Sequence, residues 1–215
     1  MISKPDLEHI NAFWRRLEQT LDQLLQSQQG SQFDAENLLD TYRDSLQKID
    51  RNLTFHFEQE FEEGPVEMIF GCDGYPESIH AVLSLVGAAP ELSGISVRAF
   101  NHRHDPVPSC VNMGDEYCDI DDFWCAVKVV NGKMQLTIYL QDAPKILEMD
   151  PRVEAVMIFM DALIGEYELM TRIWALDWCD LPTDPIDFGL IPLRQLRTAF
   201  DTLKDDVKPV GITLH

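Results

Sequence analysis

The alternation of apolar and polar residues is clearest from Phe123 to Leu140, where two alternating runs flank Asn131-Gly132. Asn-Gly between two such runs is a strong hairpin signal, because both residues tolerate the positive φ that a tight turn needs. We predict two antiparallel strands with one apolar face in the core. That face carries Phe123, Cys125, Val127, Val129, Met134, Leu136, Ile138 and Leu140.

A second hairpin with a longer turn is predicted earlier in the chain, from the alternation in 53–58 and 66–72 around Glu63-Gly64-Pro65. In both halves a helix signal follows the hairpin, with a proline in the first turn at Pro76 and at Pro151. A strand pattern then follows each helix, over 95–99 and 173–178. Both halves therefore predict the order β-β-α-β.

The first fifty residues have a different period. Apolar side chains recur at helical spacing over 6–29 and again over 34–49, which predicts a helical hairpin. We therefore expect an α+β protein in which an N-terminal helical hairpin precedes two β-β-α-β units. The units are expected to form a mostly antiparallel sheet with helices on one face. The predicted divisions are a helical hairpin at 1–52, packed on the main domain, an α+β domain at 53–204 and a C-terminal tail at 205–215.

Five short motifs mark these elements: Phe13-Trp14, Asp73-Gly74, Ala89-Pro90, Ala99-Phe100 and Gly165-Glu166-Tyr167. In these motifs the chain resembles an uncharacterised family of bacterial proteins over roughly residues 10–200. The resemblance implies a soluble bacterial α+β protein. It implies no activity, cofactor or catalytic residue.

Composition is that of an ordinary soluble globular protein, with 45% hydrophobic and 25% charged residues among 215. The first fifteen residues have no apolar targeting segment, and the apolar run 155–160 is too short to span a bilayer. The five cysteines lack CxxC spacing, and their odd number prevents complete pairing within the chain. We therefore expect reduced thiols and a cytoplasmic location.

The net charge of −20 is the unusual quantity, and it is concentrated in residues 56–150, which hold 17 acidic and 5 basic side chains. Such a surface repels phosphate backbones and anionic lipid, so we expect neither nucleic acid nor a membrane as a partner. It attracts a basic protein, although solubility alone is the simpler explanation of the charge. The candidate interaction residues are Asp115, Glu116, Asp119, Asp121, Asp122 and Trp124.

Residues 101–122 are irregular in pattern and long for a loop, which indicates either a functional loop or a short strand that the pattern hides. This segment also holds the best candidates for metal binding, since imidazole and thiolate are good zinc ligands. Their spacing matches no established zinc pattern, and a solvated loop is the simpler interpretation. The candidates are His102, His104, Asp105 and Cys110, with Cys118 as an alternative thiolate.

Glu166 and Glu168 are expected at the entrance of the last strand, with Asp161 one helical turn before Gly165. Such carboxylates would form an acid/base pair if they were buried together. The common signatures GxSxG, GxxxxGK[ST], GxGxxG and HExxH are absent, and we expect no cofactor.

Three hypotheses follow from these patterns. The first is a non-catalytic interaction protein that binds a basic partner, as a toxin-neutralising or DNA-mimicking protein does. The second is a small hydrolase or metal-dependent enzyme, with its site in the 101–122 segment or near Glu166. The third is a structural homo-oligomer.

Overall fold

A computed structural model of the chain describes residues 7–28, 35–59 and 66–210. The turn predicted at Glu63-Gly64-Pro65 and the end of the predicted tail, 211–215, lie outside the described residues. Contacts within the chain divide it after Phe100 into two compact units. The divisions predicted at 52 and 204 stay predictions.

The first unit contains the predicted helical hairpin followed by the first β-β-α-β series. Strand β1 pairs antiparallel with β2, and β3 lies parallel to β2 on its other side. A parallel neighbour requires a crossover between the strands, and α3 provides it. The elements are α1 (Leu7–Gln28), α2 (Ala35–Gln47), β1 (Thr54–Glu58), β2 (Val66–Gly71), α3 (Ile79–Gly87) and β3 (Ile95–Ala99).

Aromatic rings form the centre of this unit. Phe13 of α1 lies edge-on to Trp14, Tyr42 and Phe70, with centroid distances of 5.1, 6.2 and 5.7 Å. The Trp14 Nε1–H donates to the backbone oxygen of Leu85 at 2.9 Å, so a buried indole obtains the partner it needs. The Phe13-Trp14 motif thus joins α1 to α2, to the sheet and to α3.

The second unit repeats the β-β-α-β order and adds further elements. Its main sheet has the order β8-β7-β6-β9, in which β7 and β8 are parallel and the other neighbours antiparallel; β4 and β5 form a separate hairpin. The elements are β4 (Cys110–Met113), β5 (Glu116–Asp119), β6 (Trp124–Val130), β7 (Lys133–Leu140), α4 (Pro151–Ile164), α5 (Glu166–Arg172), β8 (Ile173–Asp180), β9 (Ile191–Pro192) and α6 (Leu196–Leu203).

The hairpin predicted around Asn131-Gly132 is confirmed, since the two residues have φ of 56° and 76° between β6 and β7. Positive φ at both central residues is the geometry of a tight turn that matches the twist of the strands. The inner face of the hairpin joins the core of the second unit, together with Phe159 and Met160 of α4. Cys125, Met134, Leu136 and Ile138 of this face are fully buried.

The α+β class, the N-terminal helix pair and the mostly antiparallel pairing are confirmed. The expectation of one sheet is corrected, because the described strands form three separately hydrogen-bonded sheets. Periodicity determines which face of a strand is buried. It does not determine which strand edges meet, and only edge pairing joins hairpins into one sheet.

Both ends of helix α4 are capped by hydrogen bonds. At its start the Asp150 carboxylate accepts the backbone N–H of Arg152 at 2.9 Å, and Pro151 occupies the first helical position, as the sequence predicts. Gly165 ends the helix with φ of 87°. Its N–H donates to the oxygen of Asp161 at 2.8 Å.

The next three carbonyl groups at the end of α4 are bonded by residues from elsewhere in the second unit. Arg197 of α6 donates to Ala162 at 2.9 Å and to Leu163 at 2.8 Å. The backbone N–H of His104 also donates to Ala162, and Arg103 Nε donates to Ile164 at 3.1 Å. A helix C-terminus leaves four carbonyls without intrahelical partners. Here other groups satisfy all four, two of them guanidinium groups, which also suit the negative end of the helix dipole.

Replacing Arg197 with alanine should destabilise the protein by about 2–3 kcal/mol, because two carbonyls at the buried end of α4 lose their charged donor. Arg197→Lys should recover only part of this loss, since a single ammonium group cannot reproduce the planar fork. Urea denaturation measures the free energy of unfolding. Arg51→Ala is the control, since Arg51 is exposed. An Arg197→Ala variant within about 0.5 kcal/mol of the unmodified protein would contradict this role.

Candidate functional site

The acidic segment is ordered by the β4–β5 hairpin, which confirms the alternative of short strands within 101–122. Gly114 turns the hairpin with φ of 63°. A short 3-10 turn then covers 120–122, where the Asp119 carboxylate accepts the backbone N–H of Asp121 at 2.9 Å. Cys118 and Ile120 are buried in the core, so this segment is anchored on its apolar side while its carboxylates face outward.

A cleft of about 430 Å³ lies beside this segment. Strand β5, the end of β7, the 3-10 turn, the start of β6 and the first turn of α4 contribute to its walls. Three carboxylates, two aromatic rings and one guanidinium group are among its lining groups. They belong to Glu116, Asp121, Asp122, Tyr117, Trp124 and Arg152.

Arg152 forms one wall of the cleft and is held in place by three groups. Its guanidinium binds the Asp150 carboxylate through Nε and Nη2, at 2.9 and 2.7 Å. It also donates to the backbone oxygens of Gln141 and Asp142, at 2.7 and 3.0 Å. Arg152 thereby holds the pKa of Asp150 below its ordinary value. Because Asp150 largely neutralises Arg152, this wall contributes little net positive charge.

The three cleft carboxylates differ in their partners. Asp121 is paired with Arg194, whose Nε and Nη2 donate to its two oxygens at 2.8 Å each, and the pair holds the pKa of Asp121 below its usual range. In the described part of the chain, neither Glu116 nor Asp122 has an ion-pair partner. The balance of charge at the cleft is therefore negative.

The aromatic rings and thiols of the site are unequal in exposure. Tyr117 is 64% exposed, whereas Trp124 is half-buried at the start of β6. Cys118 is buried and lines the cleft, and burial raises the pKa of its thiol. Burial raises the pKa of the Cys125 thiol to about 12. All five cysteines are free, as the sequence predicts, and the cytoplasmic location stays a prediction.

The structure gathers four of the six predicted interaction residues at one cleft: Glu116, Asp121, Asp122 and Trp124. Asp115 is exposed in the hairpin turn, and the Asp119 side chain caps the 3-10 turn. Arg152, Arg194 and Tyr117 also belong to the site or its edge, and the sequence analysis did not predict them as site residues. For Arg152 the signal was its position after the Asp150-Pro151 cap. Arg194 approaches Asp121 from 73 residues away, which no local pattern can show.

The metal candidates lie in different environments. His104 is tied to the end of α4 through its backbone, while Cys110 is on β4 opposite Asp119 and contacts Tyr117. His102 and Asp105 flank His104 in the segment before β4. Among the described residues, no group of three or more His, Cys, Asp or Glu side chains is arranged to hold a metal ion.

The expectation that Glu166 and Glu168 enter a strand is wrong, because both lie in α5. Residues two apart on a helix point to different sides, so these carboxylates do not converge. Glu168 pairs with Arg172 at 3.2 Å, whereas buried Glu166 accepts the backbone N–H of Asn101 at 3.0 Å. It is Asp161 that lies near Glu166, and burial together with the Glu166 charge raises the pKa of Asp161 to about 7.

Comparisons with protein-family models, curated proteins and solved structures found no match to this chain. None of the described helices is both long enough and apolar enough to cross a membrane.

Replacing Arg152 with glutamine should destabilise the protein by about 1–3 kcal/mol at pH 7, because Asp150 and two carbonyls lose a charged donor. Arg152 lowers the pKa of Asp150 in the folded protein, so this stabilisation exists above the ordinary aspartate pKa and is lost as the pH falls. The gap between variant and unmodified protein should therefore narrow from pH 7 to pH 3. Urea denaturation across this range measures it.

Arg194→Gln is the matched control, since it breaks the exposed pair with Asp121 and should change the free energy of unfolding much less than Arg152→Gln does. Equal losses from Arg152→Gln and Arg194→Gln would contradict a special structural role for Arg152.

Proposed function

We propose that the cleft binds a cationic side chain of a basic protein partner, and that the protein is a non-catalytic interaction module. The observation that carries this proposal is the pair of carboxylates, Glu116 and Asp122, that line the cleft without an ion-pair partner among the described residues. An ammonium or guanidinium group is the complementary ligand.

The aromatic side chains support a cation rather than a neutral ligand. Trp124 and Tyr117 line the same cleft as the carboxylates. A cation over the face of a tryptophan or tyrosine ring is attracted by the negative face of the π system. A cation held between a ring and a carboxylate gains from both, and the partly enclosed cleft limits the screening by water.

The Arg194–Asp121 pair supports the proposal that the bound cation is an arginine side chain of the partner. Asp121 already binds a guanidinium through two parallel hydrogen bonds at the edge of the cleft. Both partners of this pair are largely exposed, with side chains 48% and 62% accessible. Exposed ion pairs contribute little free energy, so little is lost when this pair separates. An arginine of a partner can therefore compete for the same carboxylate.

The whole-chain charge supports the same choice of partner. A net charge of −20 raises the encounter rate with a basic protein, and that rate falls with ionic strength. Steering by net charge and binding in the cleft are separable effects. A useful experiment must remove the cleft carboxylates while controlling for total charge.

The double variant Glu116→Gln/Asp122→Asn should bind a short arginine-rich peptide at least about tenfold more weakly than the unmodified protein, roughly 1.4 kcal/mol. Asp205→Asn/Asp206→Asn is the control, because it removes the same charge from two exposed residues that do not line the cleft. Isothermal titration calorimetry at low and high salt measures both. Equal weakening by the two double variants would reduce the interaction to net charge and overturn the cleft assignment.

Arg194→Gln tests the competition directly. Removing the internal guanidinium frees Asp121, so the same peptide should bind more tightly. Weaker binding would mean that Arg194 supports the site rather than competes for it. Recovery of a natural partner from extracts of the source cells at low but not high salt would extend the result beyond a peptide.

The enzyme and homo-oligomer hypotheses stay predictions. An acid/base role for Glu166 would require its carboxylate for chemistry, whereas that carboxylate accepts a backbone N–H. Light scattering tests the oligomer hypothesis.

A further inference from the structure

Loop 141–150 joins β7 to α4 and is attached to the acidic cleft at both ends. Gln141 at its start lines the cleft, and so does Arg152 just after its end. The Arg152 guanidinium donates to the backbone oxygens of Gln141 and Asp142 at 2.7 and 3.0 Å, which closes the loop across its base. The loop is therefore a fixed extension of the cleft wall.

Loop 181–190 joins β8 to β9 and is attached to the same cleft. Leu181 at its start lines the cleft, and Pro192 just after its end pairs with Trp124, another lining residue. Within the loop, three backbone hydrogen bonds of 2.9 to 3.1 Å close a turn over 184–190. This loop too is held in a fixed position relative to the cleft.

The two loops are joined to each other beside the cleft. The backbone N–H of Ala143 donates to the Asp180 carboxylate at 2.7 Å, and the N–H of Leu181 donates to the oxygen of Leu140 at 3.0 Å. The bases of the loops therefore lie side by side at one edge of the cleft.

Each loop exposes two large apolar side chains. In the described part of the chain, nine large hydrophobic side chains are exposed, and four of them belong to these two loops. Single exposed apolar residues are ordinary on a protein surface, whereas their concentration beside one cleft indicates an interaction surface. The four are more than half exposed and are called the apolar rim here: Ile146, Met149, Ile186 and Phe188.

The geometry of the chain limits how far the apolar rim lies from the cleft. An extended chain spans at most about 3.6 Å per residue. Met149 is three residues from Arg152, and Ile186 is five residues from Leu181, so these Cα atoms lie within roughly 11 Å and 18 Å of cleft-lining residues. One short peptide segment can therefore contact the cleft and the apolar rim together.

The charge around the apolar rim has the same sign as that of the cleft. Asp142, Asp184 and Asp187 are exposed in the two loops, and Lys145 is the one basic residue in their sequence. Carboxylates beside the apolar side chains repel an anionic lipid surface. They also disfavour a second copy of a chain whose net charge is −20. A basic segment that carries apolar side chains is the complementary occupant.

We propose that the partner segment is amphipathic, with an arginine seated in the cleft and bulky apolar side chains on the apolar rim. The proposal rests on the proposed function, since the rim adds an apolar contact to the cation that the cleft binds. Phenylalanine and methionine are enriched at protein–protein interfaces, and both occur in the rim. Because hydrogen bonds already hold the two loops, little conformational entropy of their backbone is lost on binding.

Two peptides of equal length and charge test the apolar rim. Both carry a central run of arginines, which is flanked by serines in the first peptide and by leucines in the second. In calorimetry the leucine peptide should bind the unmodified protein at least about tenfold more tightly, because burial of apolar surface adds to the cation contact. Ile186→Ser/Phe188→Ser should lose most of this gain and leave the affinity for the serine peptide unchanged. Ile146→Ser/Met149→Ser should lose the remainder.

Val130→Thr is the control for an exposed apolar side chain outside the rim. Val130 ends β6 and lies about 20 Å along the strand from Trp124, so this variant should keep the full gain. Full retention of the gain in both loop variants, or an equal loss in the control, would overturn the proposal.

The cleft variant Glu116→Gln/Asp122→Asn separates this inference from the proposed function. It should weaken both peptides by the same factor and leave the ratio of their affinities unchanged. Unchanged binding of both peptides to the cleft variant would refute the proposed function. An intact effect of the cleft variant without any gain from leucine would refute the apolar rim alone.

Two further measurements distinguish the partner segment from other occupants of the rim. Light scattering should give the same mass for the unmodified protein and for Ile186→Ser/Phe188→Ser, and neither should sediment with phosphatidylcholine vesicles. A mass that falls in the variant would make the occupant a second copy of the chain. Vesicle binding that the variant loses would make it a membrane. Either result would overturn the proposal.

Discussion

The carbonyl groups at the end of α4 impose a requirement on which much of the second unit depends. Four backbone acceptors at a helix C-terminus cannot be bonded within the helix, and burying them without donors would cost several kcal/mol in total. Arg103, His104, Arg197 and Gly165 supply those donors. Because the donors come from the 101–104 segment and from α6, satisfying one helix end fixes the position of two other elements.

A third arginine acts at the other end of the same helix. Arg152 joins the first turn of α4 to the two carbonyls that follow β7, and its position also defines one wall of the acidic cleft. The structural role of Arg152 therefore also affects the charge of the cleft. The chain has 17 basic side chains against 37 acidic ones, and Arg152 is already bound to Asp150 and to two backbone oxygens. Among the described residues, Glu116 and Asp122 have no ion-pair partner.

The carboxyl groups at the cleft and at the α4–α5 corner lie in different surroundings. In the cleft, Glu116 and Asp122 have no ion-pair partner among the described residues, and this observation supports the proposed binding of a cation. At the α4–α5 corner, burial and the charge of Glu166 raise the pKa of Asp161 to about 7. Sequence cannot distinguish these cases, since an aspartate in a helix and an aspartate in a loop are the same residue. Desolvation and distance to other charges decide between them.

The sequence by itself determined the two β-β-α-β series, the Asn131-Gly132 turn, the proline in the first turn of α4 and the acidic character of the region around Glu116. Each of these rests on residues near one another in the chain, where side-chain period, turn chemistry and capping act locally. Only the tertiary structure decided that the strands form separate sheets, that 166–172 is helical and that Arg194 reaches Asp121. Each of these depends on burial, on which strand edges meet or on residues brought together by the fold, and local periodicity carries no information about such contacts.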